Sequence, residues 1–166
     1  VHIVNSTYNR NSAVNIYGGF VGYAYKSPSL TTIKGSSIEG TSFNFSTSQS
    51  VGGLIGENHN AVIENCCLID NSFTTGTRSG NDNVGSVVGY NTGTVTNCYN
   101  TGTVSGSNDV GGVVGNNKGT VTNCYNTGTV SGNNFAGGVV GVNSEGTVTC
   151  CYNTGWIKCG SYSYNW

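Results

Sequence analysis

Ten residues, NCYNTGTVSG, occur twice word for word, at Asn97–Gly106 and at Asn123–Gly132. Identity at a fixed offset of 26 positions marks a chain assembled by stacking one small unit repeatedly. A second marker runs further along the chain. It is a pentad of glycine, a small residue, two apolar residues and glycine. It appears as GGFVG at Gly18–Gly22, GGLIG at Gly52–Gly56, GSVVG at Gly85–Gly89, and GGVVG at both Gly111–Gly115 and Gly137–Gly141. Successive pentads lie 34, 33, 26 and 26 residues apart.

The last four pentads are each followed by a segment of V-x-N-C type: Ile63–Cys66, Val95–Cys98, Val121–Cys124 and Val148–Cys151. The first unit keeps the rhythm without cysteine, at Ile33–Ser36, and Ile3–Ser6 has the same shape, so the chain opens within a unit. Helical repeats of this length need long stretches of apolar residues at helical spacing, and none is present. The apolar residues form short Val- and Thr-rich clusters bounded by Gly and Asn, the pattern of strands and turns. With 27 glycines and one proline, Pro28, the chain has turn residues in abundance.

The expected fold is therefore all-β: a right-handed parallel β-helix (β-solenoid) of about five to six coils, with roughly 26–34 residues per coil. Handedness follows the general preference of parallel crossovers. Each coil should hold three short strands and lie about 4.8 Å from the next. Residues 1–166 are expected to form one solenoid domain: longer irregular coils over 1–84, regular repeats over 85–157 and an aromatic tail over 158–166. The extra length of the early coils falls at Tyr23–Leu30 and Thr74–Asn83.

In such a stack, equivalent residues form columns. Cys66, Cys98, Cys124 and Cys151 share one position and are expected as a buried column of free thiols, with disulfides between neighbouring coils as the alternative. Cys67, Cys150 and Cys159 lie off the column and could pair with one another or with another chain. Asn65, Asn97 and Asn123 are expected to form an amide ladder at a turn, interrupted by Gly35 and Cys150. Strict strand alternation turns Phe20, Leu54, Val87, Val113 and Val139 outward, as an apolar row suited to interaction. The alternative is a bulge that tucks both residues of each pair inside, or a flanking loop that covers them.

Chemistry is sparse. Charged residues make up 8% of the chain and the formal net charge is −1, which leaves no basic footprint for nucleic acid. No apolar run is long enough to span a bilayer. The acids are scattered; Asp82 and Asp109, one residue out of step in adjacent coils, read as solvated turn residues, with contact to a cation as the alternative. His2 and His59 are isolated. No carboxylate pair suited to glycoside cleavage assembles, and a straight thiol column cannot wrap zinc tetrahedrally. Catalytic residues, cofactors and metals are accordingly not expected. Asn5 and Asn44 stand in N-glycosylation sequons.

Over Gly111–Gly132, and closely over Gly85–Gly106 and Gly137–Ile157, the sequence resembles the GLUG-motif repeat family, whose pattern is similar to G-G-L-V-G-x-N-x-G-x-I-x-N-C-Y-x-T-G-x-V-x-G. Gly52–Cys66 matches its first half. The Cys-free first unit and the tail Tyr162–Trp166 depart from it. The resemblance implies a secreted or cell-surface setting and an adhesin-like role, and carries no catalytic residues.

The expected function is an extracellular structural or adhesive module, self-associating end to end into a filament or continuing a longer solenoid. The alternative is a ligand-binding solenoid, with glycan on Tyr99, Tyr125 and Tyr152, or ice on the columns Thr94/Thr120/Thr147 and Thr96/Thr122/Thr149.

Overall fold

The computed structural model describes residues 1–10, 16–25, 32–45, 49–75 and 82–160. Tyr162–Trp166, Pro28 and most of the two early insertions lie outside the described residues. Those described form 27 short strands and no helix. Every pairing is parallel and joins strands of successive repeats, giving five sheets of five or six strands. The molecule is a β-solenoid.

One coil shows the plan. Its strands are Asn83–Gly85, Val88–Asn91, Thr94–Thr96, Tyr99–Asn100 and Thr103–Ser105, here called walls one to five. The next storey repeats them as Asp109–Gly111, Val114–Asn117, Thr120–Thr122, Tyr125–Asn126 and Val130–Gly132. There are thus five strands per coil where three were expected. Strands of two to four residues are too short for alternation to reveal each corner.

Register is strict. Val84 sits on Val51 and under Val110, Val95 sits between Ile63 and Val121, and Val104 lies between Phe73 and Val130. These side chains are fully buried, each contributing about 1.5–3 kcal/mol. In the longer early coils the fifth-wall column widens to Phe43 and Phe73, whose rings stack 4.6 Å apart and 5° from parallel.

The bend at each pentad decides against the outward row and for the bulge that tucks both apolar residues inside. Leu54, Val87 and Val113 have no exposure and Val139 has 9%, while Phe20 is half-buried against the core. The chain turns between walls one and two, so alternation breaks and both apolar residues of the pair enter the interior. The hydrogen bonds record the turn: Val113 O accepts from both Val87 N and Val88 N, at 3.0 and 3.1 Å. The first glycine of the pentad permits the bend. A Cβ on Gly111 would lie 1.8 Å from Val114 O.

Candidate functional site

The column Gly35, Asn65, Asn97, Asn123 and Cys150 forms the corner between walls three and four. All five have positive φ, from 52° to 58°, the left-handed region that glycine and asparagine enter most readily. The three asparagines are exposed, and the bonds of this corner are backbone ones, such as Asn97 N to Thr122 O at 3.1 Å. The expected amide ladder is therefore not here. Backbone conformation, not side-chain stacking, selects Asn at this position. Cys150 is the strained member, and Cys150→Asn is expected to stabilise the fold by about 0.5–1 kcal/mol, measured by equilibrium urea unfolding.

Amide ladders stand elsewhere, and two of them are inside. On wall two, Asn58 donates through Nδ2 to Asn91 Oδ1 at 2.8 Å, Asn91 to Asn117 at 2.8 Å and Asn117 to Asn143 at 2.9 Å. On wall four, Asn100 donates to Asn126 at 2.7 Å and Asn126 to Asn153 at 2.8 Å. In the regular repeats each amide also clasps its own turn. Gly119 N donates to Asn117 Oδ1 and Asn117 Nδ2 donates to Gly119 O, at 3.1 and 3.2 Å. The signal was present as Asn-x-Gly at Asn91, Asn100, Asn117, Asn126 and Asn153. A short amide two residues before glycine closes a turn with its own side chain.

Cys66, Cys98 and Cys124 are buried in one column, with Cys151 half-buried at its end. Each thiol donates to the carbonyl two residues earlier, at 3.2–3.3 Å. Hydrogen bonding to the Cys124 and Cys66 thiols, then burial, pushes the Cys98 thiol well above its ordinary range. All seven cysteines are free. Cys67, Cys150 and Cys159 do not pair: Cys67 stands under Tyr99, three storeys below Tyr152, while the other two belong to the last coil. Under native conditions a thiol reagent should label Cys150 first and leave Cys66, Cys98 and Cys124 untouched until unfolding. Mass mapping of the labelled peptides checks this.

Two exterior features could meet a ligand. The first covers walls three and four. Tyr99, Tyr125 and Tyr152 stack with ring centroids 4.8 and 5.1 Å apart, 4° and 5° from parallel. The Cys67 thiol, then burial, pushes the Tyr99 phenol up to about 12, and burial raises the Tyr125 phenol. Beside it, Thr94, Thr120 and Thr147 pair in register, as do Thr96, Thr122 and Thr149. Below, the threonine columns continue as Val62 and Glu64, then Thr32 and Lys34, and Lys34 pairs with Glu64 at 2.6 Å. That charged pair ends the array. Asn5 and Asn44 are both exposed on other parts of the exterior.

The second feature is a cleft. Walls one and two meet so closely that their outward side chains touch across the pentad bend. Ser50 Oγ donates to Glu57 Oε1 at 2.9 Å, and Asn116 Nδ2 donates to Asp109 Oδ2 at 2.7 Å. Glu57 also meets His59 at 3.1 Å, whose ring stacks on Tyr23 at 4.5 Å. Asp82 and Asp109 are 1% and 9% exposed, so the reading of both as solvated turn residues is corrected. The pentad glycines let the two walls approach and enclose Asp109. Burial raises the Asp109 carboxyl above its ordinary range, opposed in part by the Asn116 hydrogen bond. Among the described residues no three His, Cys, Asp or Glu side chains gather to hold a metal.

Residues 47–66, 80–105 and 106–131 match the GLUG motif. No curated protein matches the chain. A solved structure, that of a "putative immunoglobulin A1 protease" from Bacteroides ovatus, is similar at 15% identity with a TM-score of 0.47; the match covers 90% of this chain and 61% of that one.

Proposed function

Because this chain belongs to the GLUG-motif repeat family, we propose that it is an extracellular structural and adhesive module, a stiff rod that carries a repeated contact surface. The observation that supports this reading is the parallel stack of Tyr99, Tyr125 and Tyr152 along wall four. It is a ridged aromatic strip of the kind that sugar rings and apolar surfaces lie against. Repetition gives such a strip avidity: contacts too weak alone add when several storeys engage one polymer. Glycan is the favoured ligand class. Ice is a poorer fit, because the threonine columns are three storeys tall and end at the Lys34–Glu64 pair.

A filament of stacked copies is the narrower version of the proposal. In register it would set Ile3 of one copy over Asn153 of the next and Ala24 over Asn143, since these residues occupy the same columns. Two amide N–H groups would then face hydrocarbon. Beads coated with the chain should be retained on immobilised glycans, and Tyr99→Ala/Tyr125→Ala should weaken retention roughly tenfold, the equivalent of about 1.4 kcal/mol. A wild type retained on no surface would remove the adhesive role and leave a spacer.

A further inference from the structure

The cleft between walls one and two contains more acceptors than donors. Ser50, Asn83 and Asp109 follow one another in register on wall one, and Glu57, Tyr90 and Asn116 do so on wall two. Asn83 is 8% exposed. Its Nδ2 turns to the storey below, donating to Ser50 Oγ at 3.3 Å. Its Oδ1 therefore faces the storey of Asp109. That oxygen is buried and has no hydrogen-bond partner, and the same holds for Asn116 Oδ1.

An amide flip does not resolve the mismatch. Ser50 already spends its hydroxyl proton on Glu57, so a reversed Asn83 would set its oxygen against another acceptor. Asp109 has no cationic partner among the described residues; the ion pairs there are Lys34–Glu64 and His59–Glu57. A buried carboxylate beside two orphaned carbonyl oxygens is costly unless something positive joins them.

We infer that this cleft is a calcium site, in which Asp109, Asn83 Oδ1 and Asn116 Oδ1 bind one Ca²⁺ whose remaining positions are filled by water. The donor set is all oxygen, one carboxylate and two amide carbonyls, which suits a hard cation. Ca²⁺ accepts such irregular sets, whereas Mg²⁺ demands near-octahedral geometry and dehydrates reluctantly. With a single carboxylate, affinity falls in the range of roughly 10⁻⁴–10⁻³ M typical of extracellular modules. The cation would tie adjacent storeys together at the pentad bend, independently of what the tyrosine strip binds.

The test is thermal unfolding of the chelator-treated chain, titrated with CaCl₂ to about 10 mM, with MgCl₂ and KCl at matched ionic strength. Alongside it, Tb³⁺ luminescence can be read by excitation of tyrosine, Tyr90 being the register neighbour of Asn116. The wild type should gain a few degrees, on the order of 3 °C, at a tenfold excess over the dissociation constant. It should also sensitise Tb³⁺ in a manner that Ca²⁺ displaces. Asp109→Asn should lose both responses. If that variant does not fold, Asn83→Ala, which keeps the carboxylate, should weaken the apparent affinity tenfold or more. An absent Ca²⁺ shift in the wild type, an equal shift with Mg²⁺ or KCl, or an undiminished response in either variant overturns the assignment.

Discussion

Gly111→Ala is expected to abolish the native fold of the central repeats. The first pentad glycine stands where the chain bends from wall one to wall two. A methyl group there would lie 1.8 Å from Val114 O and 2.7 Å from Gly141 N. Both are backbone atoms already committed to ladders, so neither can yield without breaking register in two storeys. The loss should exceed about 4 kcal/mol, most of the stability a chain of this size possesses. Gly85, Gly52 and Gly137 meet the same obstacle, at 2.1, 1.9 and 1.9 Å from the carbonyl three residues on. Gly22→Ala is the control: its nearest neighbour, Ile16 O, is 3.8 Å away, and little change is expected. Far-ultraviolet circular dichroism during urea unfolding reads both. Since each storey rests mainly on its nearest neighbours, the damaged chain should also unfold in more than one step.

Asn117→Ala should be the most damaging side-chain truncation outside the hydrocarbon core. The amide holds four partners: it accepts from Asn91 Nδ2 and Gly119 N and donates to Gly119 O and Asn143 Oδ1. It is fully buried, so no water replaces it without rearrangement. Each orphaned group costs about 1–3 kcal/mol. They are not additive, and a total of about 3–5 kcal/mol is expected. Asn117→Asp separates shape from hydrogen bonding. The carboxylate keeps the acceptor side but sets a negative oxygen against Gly119 O and Asn143 Oδ1. Burial and those acceptors favour its protonated form, so its folded-state pKa is raised. That variant should therefore gain stability as pH falls through the folded pKa and lose it as pH rises. Asn117→Leu would restore volume yet leave the same groups unpaired. Urea midpoints between pH 4 and pH 8 distinguish the three; a fall of under about 1 kcal/mol for Asn117→Ala would show that the ladder is not a main source of cohesion.

These two residues also show where reading the sequence stopped. The pentad was recognised as a landmark, and its spacing located every storey. Its role is open to two readings, a flat strand or a bulge, because strand alternation is a rule for extended chain and the pentad is where the chain is not extended. Alternation alone turns Leu54, Val87 and Val113 outward, and the bend puts them inside. The asparagines of the repeat divide in the same way. Asn97 shares its column with Gly35 and Cys150, a sign of a backbone requirement. Asn91 and Asn100 precede glycine by two, the sign of a side chain that closes a turn and has one N–H left for the next storey.

The sequence by itself determined the stacking. A 26-residue repeat of short β-prone clusters leaves no helical alternative, and identical residues at identical phase must lie above one another once strands pair in parallel. The thiol column, the tyrosine strip and the valine columns all follow from that phase. Only the tertiary structure decided which way the pentad pairs and the asparagine columns face. Facing depends on the angle between successive walls, and that angle is set by contacts between storeys that no single repeat contains. For the same reason the cleft holding Asn83, Asp109 and Asn116 became visible only when two walls, seven residues apart in the chain, closed on each other.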